Sequence, residues 1–326
     1  MAITISGSGI TSANIADGTI TTDDILASDV KNLKSGRKNL IINGGFDVWQ
    51  RGTSGFGHNV YSADRWREDY NTGNGVAISK HNISSGGETG LPLGFTSAFK
   101  YALTVGSGSG SGLNDVRQKI ELPKRFEGQT FTLSYYVKAS SSCTVSNRRI
   151  YATNVTNPFS GASLSSLSVT TTWQRVTDTF TLGTSSTAVY SSSSFLDVVL
   201  SAPVATSVNI DYYITGVQLE LGSVATDFDH HSYGEELALC QRYYATGKVI
   251  LTFNGTSGRY SFRTLGQHNM RTNPTVTGSF ASQGMGSILG YDQAGVSGHD
   301  LRQIYVQTAV GSGADGQFTY YADAEL

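Results

Sequence analysis

The chain has few of the features that mark secreted, metal-binding or membrane-embedded proteins. Its two cysteines, Cys143 and Cys240, are far apart and form neither a disulfide framework nor a metal-type spacing. No apolar run approaches the roughly 20 residues needed to cross a bilayer. The first residues show no basic region followed by an apolar one, so we expect no secretory signal. These absences predict a protein made in the cytoplasm, not inserted into a membrane, and folded by packing alone.

Charge and proline are scarce as well. Charged residues make up 15% of the chain and the net charge is −2, which argues against the broad basic surface that nucleic acids require. There are only 5 prolines, whereas glycine occupies 38 positions, serine 41 and threonine 35. Aromatic residues reach 10%, with 17 tyrosines. This abundance of turn-forming, β-branched and aromatic residues predicts an all-β fold.

Residues 1–38 have a pattern of their own. An isoleucine occurs at every fifth position, at Ile10, Ile15, Ile20 and Ile25, and Val30 continues this spacing. A period of five fits neither a helix nor a strand, and one apolar residue per pentad cannot close a core within one chain. We therefore expect an oligomerisation and attachment stalk; the alternative is a disordered tail in which the spacing has no meaning.

Residues 39–231 predict a jelly-roll β-sandwich. Phe131 to Val137 alternates apolar and polar residues, which is typical of a strand with one buried and one wet face. Glycine- and serine-rich turns separate eight or nine such segments, the number expected for a jelly roll. The predicted strands are 39–49, 61–66, 99–105, 116–122, 131–137, 149–153, 173–182, 195–200 and 210–221.

A helix and a second β-domain are predicted to complete the chain. Ser232 and Glu235 have the spacing of a capping box, so we place a connecting helix at 232–246. Cys240 lies on its apolar face and is interpreted as a packing residue rather than a nucleophile. Residues 247–326 then predict a small β-domain, with strands at 249–253, 259–263, 275–280, 303–310 and 318–322.

No motif for catalysis is present. The six histidines have no metal-ligand spacing, and the chain lacks a nucleophile elbow, a Walker loop and a dinucleotide fingerprint. Asp64, Glu68 and Asp69 cluster and could formally serve as a glycosidase acid/base pair. We favour a salt link of Asp64 with Arg65 or Arg67 instead, and predict that the protein is not an enzyme.

A glycan site would need an exposed aromatic ring beside polar groups. Tyr136 is expected on the wet face of its strand, and Arg149 and Tyr151 alternate away from Ile150 on a second strand. These three residues are our candidates for glycan contact; the alternative is that they lie under a loop or in a subunit interface. Trp49, Trp66 and Trp173 are expected to pack in the core.

Several runs of residues resemble one family. The runs NLIINGGFDVWQRG and YSADRW resemble the opening of jelly-roll modules in tail, baseplate and fibre proteins of tailed bacteriophages, and ITGVQLELGSVATDFDHHSYGEELALCQRYY resembles their close. The ending, MRTNPTVT and FTYYADAEL, is similar to their small C-terminal β-domain, and SGITSANIADGTITTDDI is similar to their attachment segments.

This resemblance implies a homotrimeric, non-enzymatic virion protein that other tail or baseplate proteins hold through its N-terminus. The jelly roll is similar to carbohydrate-binding modules, which implies recognition of a glycan on the host surface during adsorption. The alternative is a purely architectural fibre, baseplate or capsid-attached part without a ligand. Related sandwiches often hold a structural calcium ion where the first and last strands meet, which would use Asp211 and carbonyls of the turn 43–46. No other cofactor is expected.

Overall fold

The computed structural model describes residues 37–70, 75–104, 114–121, 123–203, 209–252, 258–263, 270–272, 274–281, 303–308 and 315–325. The chain divides into two units, Met1–Lys38 and Asn39–Leu326. The pentad isoleucines of the first unit lie outside the described residues, so the stalk stays a prediction. The description below concerns the second unit.

Seventeen strands and one α-helix are described in this unit. In chain order they are β1 (Arg67–Tyr70), β2 (Gly75–Asn82), β3 (Ser97–Thr104), β4 (Asn114–Glu121), β5 (Thr130–Ala139), β6 (Cys143–Val145), β7 (Arg149–Thr153), β8 (Ala162–Ser163), β9 (Leu167–Val169), β10 (Gln174–Thr181), β11 (Phe195–Val199), β12 (Ile210–Leu221), α1 (Tyr233–Gln241), β13 (Tyr244–Thr252), β14 (Gly258–Arg263), β15 (Thr275–Ala281), β16 (Gln303–Thr308) and β17 (Asp315–Asp323). A short 3₁₀ helix, Pro123–Phe126, precedes β5.

Two five-stranded antiparallel sheets enclose the main core. Sheet I has the order β10-β5-β12-β3-β2, and sheet II has the order β1-β4-β11-β7-β8. Alternate residues of both sheets point inward, where they pack with Trp49 and Trp66. This arrangement confirms the all-β jelly-roll sandwich. Trp173 is also buried, in a separate cluster on the outward side of sheet I.

The first two predicted strands are wrong. Residues 39–49 and 61–66 form turns and irregular backbone, although most of their side chains are buried. Asn43 and Phe46 adopt positive φ angles of 57° and 56°, which a strand does not allow. The side-chain amide of Asn43 donates to the backbone carbonyls of Val48 (2.9 Å) and Asp64 (3.0 Å), and thereby joins the two segments.

The expectation that β5 has a wet face is also wrong. Phe131, Leu133, Tyr135 and Val137 face the main core as predicted. The alternate side chains Thr132, Ser134 and Tyr136 are buried as well. Chain segments outside the two sheets cover this side of β5, and local periodicity carries no information about them.

The helix begins as predicted. The Ser232 side chain accepts from the Glu235 amide, and Glu235 accepts in turn from the Ser232 amide, which completes the capping box. The helix ends at Gln241, and Tyr244 already belongs to β13. Cys240 is fully buried, in agreement with a packing role, and this burial raises the pKa of its thiol.

The C-terminal strands form a three-stranded sheet, β13-β17-β15, and a two-stranded ribbon, β14-β16, all antiparallel. The five predicted strands of this part of the chain are all found, with boundaries shifted by a few residues. Arg65 of the sandwich pairs with Glu325 at the end of this sheet. The boundary between a sandwich domain and a separate C-terminal domain stays a prediction.

Candidate functional site

The outward face of sheet II is unusually rich in charge. Val116, Ile150 and Leu196 of β4, β7 and β11 point into the core, so the residues beside them in these strands point outward. We call the outward set the charged face. Its members are Arg67, Asp69, Asp115, Arg117, Lys119, Arg149, Tyr151 and Asp197.

A buried carboxylate fixes Arg149 on this face. The two terminal nitrogens of Arg149 donate to the two Asp115 oxygens, at 2.6 and 3.3 Å, and one of them also donates to the Asn147 carbonyl at 2.8 Å. The Asp115 side chain is 2% exposed, whereas that of Arg149 is 25% exposed. Burial tends to lower the pKa of Arg149, but the hydrogen bond with Asp115 raises it above its ordinary value. The result is an oriented guanidinium whose edge reaches the surface.

A second buried carboxylate lies at the centre of the face. Asp197 stands in β11 directly between Lys119 of β4 and Tyr151 of β7. Burial raises its pKa, while Arg117 and Lys119 act in the opposite direction. Its Oδ1 atom is buried with no hydrogen-bond partner among the described residues. Asp197 therefore balances the surrounding cations rather than meeting solvent.

Tyr151 and Lys119, on the two sides of Asp197, differ in how far solvent reaches them. Tyr151 is partly exposed, and the Arg149 guanidinium lies 5.6 Å from its ring centroid. Lys119 lies over the Phe195 ring, 4.2 Å from its centroid. Burial, and then the nearby charge of Arg67, lower the pKa of Lys119 to about 8. On this face, therefore, a cationic side chain, Arg149, and an aromatic one, Tyr151, are adjacent and both partly exposed to solvent.

Tyr136 does not belong to this site. It is 8% exposed, packs edge-on against Phe95 with ring centroids 5.4 Å apart, and has Arg175 over its ring at 6.0 Å. It points outward from sheet I, on the opposite side of the sandwich from Arg149 and Tyr151. The expectations that Tyr136 is exposed and that the three residues act together are therefore wrong.

The segment that covers Tyr136 is held by one carboxylate. Residues 83–95 lie over the outward side of sheet I, and Glu88 accepts from Trp173 Nε1 (2.8 Å), from His81 Nε2 (2.9 Å) and from Lys138. Burial tends to raise the pKa of Glu88, but these hydrogen bonds lower it to about 2. We call residues 83–95 the covering segment.

The two halves of the expected calcium site are not brought together. Asp211 pairs with Lys100 at 2.8 Å, and an ammonium group at this distance opposes binding of a cation. The turn 43–46 meets β12 at Thr215 and Val217 instead of at Asp211. Within the described ranges, no group of three or more His, Cys, Asp or Glu side chains could hold a metal ion.

The acidic trio of the sequence separates in the fold. Asp64 is buried and accepts from the Gln50 backbone and side-chain amides at 2.6 and 2.9 Å, with Arg51 at 3.6 Å. The expected link of Asp64 to Arg65 or Arg67 is therefore wrong. Glu68 accepts from Ser62 inside the sandwich, and Asp69 pairs with Arg117 at 2.6 Å on the charged face. The absence of enzymatic activity stays a prediction.

Sequence reasoning missed Asp115 and Asp197, which organise the charged face. Both lie in or beside strands that the sequence predicts, and Asp197 interrupts the apolar run Phe195–Val199. The alternation of β4 and β11 places both acids outward, on the same side as Arg149 of β7. Comparing the alternation of several predicted strands at once could have identified these two acids from the sequence.

No family model matches the chain, and no curated protein matches it. Solved structures to which the chain is similar include the enzymatically active domain of tailspike protein 4 of bacteriophage CBA120 (15% sequence identity, covering 56% of this chain and 21% of that chain, TM-score 0.33). A second is the family 11 carbohydrate-binding module of the cellulase Lic26A-Cel5E of Clostridium thermocellum, with 12% identity, coverage of 55% of this chain and 98% of that chain, and a TM-score of 0.31. A third is the tripod from the baseplate of bacteriophage Tuc2009, with 16% identity, coverage of 61% of this chain and 59% of that chain, and a TM-score of 0.29. The chain spans about a fifth of the tailspike domain. At these identities and TM-scores the likenesses carry no argument about function.

No helix in the described ranges is long and apolar enough to span a membrane.

Proposed function

We propose that this chain is a structural protein of a tailed-phage virion, a component of the tail fibre, tail tip or baseplate, and that it presents a saccharide-binding module to the host surface without enzymatic activity. The binding site in this proposal is the part of the charged face around Arg149 and Tyr151.

The sequence runs that resemble phage tail modules support the virion role through their position in the fold. Gln50, from the first run, donates to the Asp64 carboxylate (2.9 Å) and to the Tyr244 carbonyl (2.7 Å). The indole of Trp66 donates to the Asn43 carbonyl at 2.9 Å. The three runs thus form one hydrogen-bonded unit where the sandwich, the helix and β13 meet.

The single observation that carries the binding proposal is the fixed pair of Arg149 and Tyr151. Sugars bind proteins by stacking their C–H faces on aromatic rings and by hydrogen bonds from their hydroxyl groups to polar side chains. Here a partly exposed ring stands next to a guanidinium that a buried acid already orients, so little side-chain freedom is lost on binding. Tyr136 is buried and is not part of the proposed site.

Glycan binding by the purified full chain tests this proposal. Tyr151→Ala removes the stacking ring and is expected to weaken glycan-array binding and adsorption to host cells by about tenfold or more. Tyr233→Ala is the matched control, because Tyr233 is exposed at the start of α1 and lies outside the charged face. Equal binding by both variants would contradict the site. A full chain that binds no glycan and no cell would favour the purely architectural role.

The proposed virion protein is a homotrimer that the N-terminal segment assembles and attaches to other tail or baseplate proteins. Replacing Ile10, Ile15, Ile20 and Ile25 by serine in the full chain is expected to convert a trimer into a monomer, as measured by light scattering. A trimer that survives these substitutions would place the subunit interface in residues 39–326. A monomeric full chain would contradict the trimeric proposal.

A further inference from the structure

We propose that the saccharide bound at the charged face is acidic, and that Arg149 binds its carboxylate. This inference rests on the proposed saccharide-binding function and names the class of ligand. A neutral sugar needs ring stacking and neutral hydrogen bonds, whereas the charged face offers an oriented cation next to the ring.

The distribution of charge across the face supports an anionic ligand. Four basic side chains and three acidic ones stand there, a net charge of +1 in a chain whose net charge is −2. Two of the three acids, Asp115 and Asp197, are 2% and 1% exposed. Arg149, with a side chain that is 25% exposed, is thus more accessible to a ligand than either of these two acids, which favours an anionic ligand.

The surroundings of Arg149 contain few groups that would repel a carboxylate. Its register partners are Val199 on β11 and Ser163 on β8, and its hydrogen-bond partners are Asp115 and the Asn147 carbonyl. Among these described neighbours, the buried Asp115 is the sole carboxylate, and Asp197, which stands beside Tyr151, is buried as well. The remaining exposed acid of the face, Asp69, lies at the far edge in β1 and pairs with Arg117.

The hydrogen bonds of Arg149 leave capacity for a ligand. A guanidinium has five N–H donors, and Asp115 and Asn147 accept from the two terminal nitrogens. These acceptors account for three of the five donors, and the guanidinium carbon of the partly exposed Arg149 lies 5.6 Å from the centroid of the Tyr151 ring. A sugar stacked on Tyr151 with a carboxylate at its ring would thus meet a charge-assisted donor, which is stronger than a neutral one.

Acidic polysaccharides and their carboxyl-reduced forms test the inference, because reduction turns each carboxylate into a hydroxymethyl group and leaves the linkages unchanged. Polygalacturonate, alginate and polysialic acid serve as probes, together with an array of neutral glycans. We expect the full chain to bind at least one acidic polymer and to lose about 10- to 100-fold in affinity for its reduced form. Added salt should weaken this binding.

Two arginine variants connect this preference to the site. Arg149→Gln should lose the preference for the acidic form while it keeps weak binding through Tyr151. Arg175→Gln is the matched control, since Arg175 also lies over a tyrosine ring but on the opposite side of the sandwich. Thermal unfolding of both variants checks that the fold is retained, and Arg149→Lys should recover part of the preference because it restores the charge.

The outcomes separate this inference from the proposed function. Equal binding of acidic and reduced forms, or binding to neutral glycans alone, would overturn the acidic ligand and leave a saccharide site standing. An equal loss in the Arg175→Gln control would show a non-specific charge effect and overturn the assignment to Arg149. Binding to none of the probes or array glycans would contradict both proposals.

Discussion

The guanidinium of Arg65 stacks on the ring of Tyr243, with its central carbon 3.4 Å from the ring centroid. Arg65 is fully buried, pairs with Glu325 and donates to the Lys119 carbonyl at 2.6 Å. One side chain from the YSADRW run therefore contacts sheet II, the residues after α1 and the end of β17. Its φ angle of 71° is unusual for a non-glycine residue, so the surrounding contacts must hold it in place.

We expect Arg65→Ala to be strongly destabilising. The substitution leaves the buried Glu325 carboxylate with Arg51, at 3.4 Å, as its remaining cation, and breaking a buried ion pair costs about 3–5 kcal/mol. Thermal and urea unfolding of the full chain measure the effect. Arg67→Ala is the control, because Arg67 is partly exposed and donates to the exposed Asn59 side chain. Similar small losses for both variants would contradict a central role for Arg65.

The buried Glu68 predicts a loss of stability at higher pH. Burial raises its pKa to about 8, against a hydrogen bond from Ser62 that lowers it. In the unfolded chain the pKa of Glu68 returns to its ordinary value of about 4.5. Between these values the folded state keeps a proton that the unfolded state releases, so the free energy of unfolding falls as pH rises.

The stabilising contribution of protonated Glu68 is thus complete below about pH 4.5 and is lost as the pH rises to about 8. Glu68→Gln removes the titration, so the variant should gain stability relative to the natural chain, by about 1 kcal/mol or more, between pH 5 and pH 8. Unfolding measured across this range gives the answer. If the free energy of unfolding changed with pH in the same way for both proteins, Glu68 would not titrate between pH 5 and pH 8.

Gly44 is expected to tolerate no side chain. A Cβ atom at this position would lie 2.1 Å from the Val217 carbonyl oxygen, which belongs to the backbone of β12 and cannot move aside cheaply. Gly44→Ala should therefore cost about 1–3 kcal/mol through overpacking. Gly86→Ala is the matched control, since a Cβ there meets nothing within 4 Å. Equal melting temperatures for the two variants would contradict the close approach of this turn to β12.

Removing the Glu88 carboxylate should loosen the covering segment. Glu88→Ala leaves Trp173, His81 and Lys138 without their shared acceptor, and faster hydrogen exchange is expected across residues 83–95. Leu93→Ala, in the same segment but 77% exposed, should leave exchange unchanged. Because the pKa of Glu88 is lowered to about 2, its contribution is present above pH 4.5 and is lost as the pH falls toward 2.

Local sequence patterns were sufficient for much of the fold. The strands 149–153 and 210–221 have the predicted bounds, and the capping box of Ser232 and Glu235 forms as expected. These features depend on side-chain alternation and on hydrogen bonds between near neighbours, which are properties of a short stretch of chain. The same reasoning failed for 39–49, where the Asn43 side chain donates both to Val48 of its own segment and to Asp64 of the segment 61–66.

The candidate site shows where such patterns stop being informative. Alternation placed Tyr136 and Tyr151 correctly on the outward sides of their strands, but it could not say which of them a distant segment covers. Glu88 and Phe95 bury the surroundings of Tyr136, and Asp115 reaches Arg149 from 34 positions away. Strand identity and side-chain direction follow from the nearest residues, because they are steric and periodic. Burial and charge balance follow from contacts between segments that lie far apart in the sequence, so the nearest residues do not reveal them.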